Sequence, residues 1–155
     1  VESGSFHKII TRDLKIAYHM PWQKNHLLTI QTIYRSAPFY EYFIDDILPL
    51  YNQGFNFLID FNNRITQICN KWLKLDNTVQ LTNQFNVEVV GYDYRFTIHP
   101  KEQKNNIDPH FNPVKYHQVF NDRFGFVPNL SILDLLMNCG PEAIDIIKMS
   151  IAREL

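Results

Sequence analysis

Residues Leu130 to Asn138 read L-S-I-L-D-L-L-M-N, a helix-length run with apolar side chains around most of its circumference. A helix that is apolar nearly all round has to be enclosed by other elements, so the rest of the chain must pack against it. Ser131, Asp134 and Asn138 fall at i, i+3 and i+7 and form its one polar stripe. Buried polar groups need partners, and two readings of the stripe stay open. Ser131 to Asp134 is S-x-x-D, close to a capping box, and Asn138 precedes Gly140 near the C-terminal end. Alternatively the stripe lines a pocket, with Asp134 as acid, base or ligand anchor.

The elements available to surround this helix follow from periodicity. Arg12 to Tyr18 alternates Leu14 and Ile16 with Asp13, Lys15 and Ala17 and predicts a half-buried strand. Trp22 opens a helix that places His26, Ile30, Ile33 and Ala37 on one stripe and ends at Ala37-Pro38. A second helix is expected from Phe39 to about Ile47, ending before Pro49. A third runs from Phe57 to Leu73, buried through Leu58, Phe61, Ile65, Ile68, Cys69 and Trp72. Asn62 lies near that face and Asp60 points away from it. Leu75 to Thr82 and Phe85 to Val90 read as strands, and Gly91 to Pro113 as a long ordered loop. Tyr116 to Phe120 is a further β-type run, and a last helix is expected from about Glu142 to Ala152. The expected fold is therefore α+β, a helix-dominated single domain with a small sheet.

Composition narrows the function. A formal net charge of -1 supplies no basic field for nucleic acid, and no apolar run reaches the roughly 18 residues that span a bilayer. No charged-then-apolar leader is visible. Cys69 and Cys139 have no metal spacing and sit in helical apolar settings, which suits buried thiols in a reducing compartment. The six histidines form no zinc-hydrolase motif, and five glycines make no phosphate-binding loop. A metal is not expected, and no motif specifies a cofactor.

Each candidate site residue has a structural reading beside its functional one. His26 lies on an apolar helix stripe, one turn from Trp22, so ring stacking explains it as readily as proton transfer. Tyr116 and Gln118 share one side of their run, either as a ligand-reading pair or as satisfied core-edge groups. Arg95 and His99 on the long loop are candidates for binding a phosphate or carboxylate. Cys139 at a helix junction is either an activated thiol or a helix-end hydrophobe.

Taken together, the motifs W-Q-K-N-H (Trp22 to His26), Y-R-S-A-P-F-Y-E-Y (Tyr34 to Tyr42) and F-L-I-D-F-N (Phe57 to Asn62) resemble the WbqC-like family. Y-H-Q-V-F (Tyr116 to Phe120) and V-P-N-L-S-I-L-D-L-L-M-N-C-G-P-E (Val127 to Glu142) carry the strongest likeness. D-Y-R…I-H-P-K (Asp93 to Lys101) is similar to its Bacteroides-type branch. The resemblance implies that the family's polar motif residues fall on His26, Tyr34, Asp60, Asn62, Tyr116, Gln118, Ser131, Asp134 and Asn138. It implies that residues 1–155 are one such domain lacking the family's N-terminal stretch, in keeping with an opening that reads like the exit of a strand. It also implies work on surface-polysaccharide (O-antigen) precursors.

The functional expectation is a cytoplasmic transferase, with acyl or amide transfer to an amino sugar as the candidate reaction. His26 or Asp134 would move the proton. Tyr34, Asn62, Arg95, His99, Tyr116, Gln118, Ser131 and Asn138 would bind a small-molecule substrate such as a nucleotide sugar. The alternative is a non-catalytic glycan- or protein-binding module that presents an aromatic surface from Phe39 to Tyr51.

Overall fold

The computed structural model describes residues 10–85, 87–91, 93–95 and 110–151. Its ordered elements are helices: α1 (Trp22–Tyr34), α2 (Tyr40–Asn52), α3 (Leu58–Trp72), α4 (Asn121–Phe124), α5 (Ile132–Cys139) and α6 (Ala143–Met149). Short 3-10 turns cover Thr11–Asp13 and Gly140–Glu142.

α2 is the central packing element. Tyr40, Phe43, Ile44, Ile47, Leu50 and Tyr51 are all buried and follow a helical spacing. It lies between α1 and α3, and α5 closes over α2 and α3. Leu136 and Met137 of α5 are fully enclosed, so the apolar run does end in the core, as its pattern requires. α2 also continues through Pro49 to Asn52, past the expected end. Proline removes one backbone donor, but Pro49 is exposed while Leu50 and Tyr51 are buried, and their burial carries the helix onward. The Trp72 indole N–H donates to Asp46 Oδ2 at 2.7 Å and Lys71 Nζ to the same oxygen at 3.0 Å, tying α3 to α2. The indole bond first, then Lys71, holds the Asp46 carboxyl below its ordinary pKa.

The expected small sheet is absent among the described residues, so the fold is helical and not α+β. Among the described residues there are two isolated antiparallel bridges, Lys15 with Phe57 and Phe111 with Ile151. A strand needs a neighbour for its backbone donors and acceptors. Arg12 to Tyr18 finds one only locally: Ile16 N–H donates to Asn56 O at 3.0 Å and Leu58 N–H to Leu14 O at 2.9 Å. Leu75 to Thr82 and the described part of Phe85 to Val90 have no ladder, and Val79, Leu81, Phe85 and Val87 are exposed. Tyr116 to Phe120 is an irregular approach to α4. The last helix is shorter than expected. It starts after the Gly140–Glu142 turn and stops at Met149, where Ile151 turns back to pair with Phe111.

Candidate functional site

The first candidate site lies where the Ile16–Met20 segment, the start of α1 and the start of α3 meet. The Tyr18 hydroxyl clamps this junction, donating to Phe55 O at 2.9 Å and accepting from Phe55 N–H at 2.8 Å. Trp22 sits at the centre of an aromatic group, with ring centroids 6.0 Å from Tyr18, 5.4 Å from Phe61 and 6.1 Å from Tyr51. His26, one turn on, meets Trp22 edge-to-face at 5.2 Å and Tyr51 at 5.9 Å. Aromatic packing thus orients the imidazole. Neither of its nitrogens has a hydrogen-bond partner among the described residues.

Beside this group opens a recess of about 480 Å³. Ile16, Leu58 and Phe61 form its inner wall, and His19, His26 and Asn62 stand on its exposed side. Two separate motifs therefore deliver His26 and Asn62 to one cavity. Two imidazoles and an amide above an apolar wall suit a small ligand with an apolar part and hydrogen-bonding groups. His19 was not singled out by its sequence position, since it lies in a bend with no periodicity, and only the Tyr18 clamp brings it here.

The second constellation surrounds Asp134 in the interior. Its carboxylate is buried and accepts the Tyr116 hydroxyl at 2.8 Å through Oδ2. Burial first, and then the Asp134 charge, raises the Tyr34 phenol to about 12. The Tyr116 phenol is raised too, chiefly by burial, with Asp134 adding to the shift. Both stay protonated at neutral pH, as hydrogen-bond donors. Asn138 donates from Nδ2 to the Asp134 carbonyl at 2.8 Å, and its enclosed Oδ1 has no partner among the described residues. Cys139 is pushed up to about 11 by burial, then by Glu142 and Asp134, so it is a thiol and not an activated thiolate.

The remaining candidates fall elsewhere. Ser131 is the α5 N-cap, accepting from Leu133 N–H at 3.3 Å, so of the polar stripe it alone caps the helix start. Gln118 bonds both backbone groups of Val127, at 2.8 Å and 2.9 Å, and closes the loop through α4. Arg95 pairs with Asp93 at 2.6 Å, lies over the Phe85 ring and holds the Asp93 carboxyl at about 2. His99 lies outside the described residues. The Tyr116 ring also walls an apolar cavity of about 250 Å³ with Ile132, Leu135 and Ile147.

The structure does not bring His26 and Asp134 to one cavity: His26 lines the recess, and Asp134 lies in the packed interior. The aromatic surface expected from Phe39 to Tyr51 is largely interior, with Tyr42 as its one well-exposed ring. Among the described residues no helix is long and apolar enough to cross a membrane. No curated protein and no solved structure matches the chain. The WbqC-like protein family, by contrast, matches over residues 1–93 and 95–146, nearly the whole length. The helix with its buried Asp134 and the recess with His26 and Asn62 both lie within that match, and the chain belongs to the WbqC-like protein family.

Proposed function

We propose that the chain is one cytoplasmic domain acting on a sugar precursor of a surface polysaccharide such as O-antigen, and that the His26–Asn62 recess is its substrate site. The observation that carries this reading is the setting of His26: a ring packed edge-to-face with Trp22 and Tyr51, on a cavity of small-molecule size that Asn62 also lines. The candidate reaction is acyl transfer from an activated thioester to an amino sugar. The amine nitrogen attacks the acyl carbonyl, the C–N bond forms and the C–S bond breaks. His26 takes the amine proton and returns it to the leaving thiolate. Asn62 orients the polar part of the substrate. Asp134, Tyr116 and Tyr34 hold α5 against the preceding loop and α1, which supports the fold that presents the recess.

A thermal-shift screen against nucleotide sugars and acyl thioesters tests this. Both His26 and Asn62 are exposed, so Asn62→Ala is expected to alter stability by no more than about 0.5 kcal/mol, and His26→Gln, which also removes the Trp22 and Tyr51 ring contacts, by about 1 kcal/mol. Each should abolish the shift produced by a hit. A hit that survives both variants but is lost in a folded Asp134→Asn protein would move the site to α5. The absence of any hit would favour the binding-module reading, for which the exposed Leu81, Phe85 and Val87 offer apolar surface.

A further inference from the structure

We infer that the recess holds the N-acylated sugar, the product of the proposed transfer, more tightly than the free ammonium form. This rests on reading the recess as the substrate site. Its polar side chains are His19, His26 and Asn62, the Trp22 ring lines it with its indole N–H enclosed, and no carboxylate is among its described lining residues. Asp60, two residues before Asn62, is exposed and lies outside the lining. An ammonium held against the inner wall would give up part of its hydration without meeting a counter-charge among the described lining residues, which costs free energy. A neutral amide loses less, and its donor and acceptor find complementary groups in the His26 imidazole and the Asn62 side chain. The apolar wall of Ile16, Leu58 and Phe61 offers the short acyl group a surface that a bare amine cannot use. The volume of about 480 Å³ suits a monosaccharide-sized ligand.

The same chemistry fits the proposed reaction. An amine is nucleophilic only when unprotonated, and a site with no carboxylate among its described lining residues favours the neutral amine over its ammonium form. The acylated sugar, as product, then becomes the better-held species.

The two indoles of the chain supply the test. Trp22 lies on the recess, whereas the Trp72 N–H is committed to Asp46 at 2.7 Å. Titration of ¹⁵N-labelled protein with N-acetylglucosamine at pH 7 is expected to move the Trp22 indole signal saturably and leave that of Trp72 in place. A Trp72→Phe variant assigns the two signals. Glucosamine is expected to bind about tenfold more weakly, and His26→Gln to weaken the acetylated sugar. Equal or tighter binding of glucosamine would overturn the selectivity while leaving the recess as a sugar site. If neither sugar moved the Trp22 signal, both the selectivity and the recess reading would be overturned.

Discussion

Gly140 shows how much one atom can decide in this fold. Its φ is +53°, a left-handed conformation that side chains rarely adopt, and a Cβ there would lie 2.4 Å from the Phe39 ring. Phe39 is held in turn, since its N–H donates to the Met137 carbonyl at 3.0 Å. The start of α2 is thereby fitted to the end of α5 without space for a methyl group. Gly140→Ala is expected to cost about 3 kcal/mol or more, combining overpacking with backbone strain. Urea denaturation would read this as a lower midpoint with unchanged slope, and a shift below about 1 kcal/mol would show that Phe39 moves aside freely. The sequence marks Gly140-Pro141 as a helix junction because those residue types punctuate helices. It carries no sign that Phe39, from the other end of the chain, closes on that spot.

At the scale of elements, α5 shows which polar residues cap a helix and which join it to its neighbours. Ser131 uses its hydroxyl on its own helix, which a local motif can announce. Asp134 instead accepts from Tyr116, and Tyr34 of α1 lies in its field. The consequence is a pH dependence on the alkaline side. The folded chain keeps the Tyr34 proton up to about 12, against 10.0 for the free phenol. The stability tied to that proton is complete below pH 10 and is lost as the pH rises towards 12. Tyr116 is raised as well and acts in the same direction. Urea midpoints measured from pH 9 to 12 should fall, and Tyr34→Phe should make the fall shallower. Identical profiles for the two proteins would show that Tyr34 ionises as it does in the unfolded chain.

For the whole molecule, apolar residues differ sharply in worth according to where the fold puts them. Leu136 is fully enclosed, and Leu136→Ala is expected to cost about 2–5 kcal/mol through lost transfer energy and a cavity. Val87 sits in an equally suggestive alternating run, yet it is 81% exposed. Val87→Asp should change stability by no more than about 0.5 kcal/mol. Denaturation of the two variants checks the contrast, and a Val87→Asp protein as unstable as Leu136→Ala would mean that this stretch is packed in solution.

The long helices α1 to α3 and the enclosure of α5 are legible in the sequence, but not the reach of α2 past Pro49, the short α4 or the early end of α6. Helical periodicity is local: the spacing of Phe43 and Ile47 and of Phe61 and Ile68 already states which face turns inward, and an all-round apolar run has nowhere else to go. It also determined that Trp22 and His26 would meet, because residues one turn apart on a helix are neighbours. Tertiary structure alone decided that the alternating runs would not pair into a sheet, since a strand's partner is a distant segment and its pattern says nothing of whether that segment arrives. Likewise only the fold decided that His26 and Asn62 share a recess while Asp134 lies in the interior. Motif residues are linear neighbours in text, but the cavity they reach is set by how α1, α3 and α5 pack, and packing is a property of the whole chain.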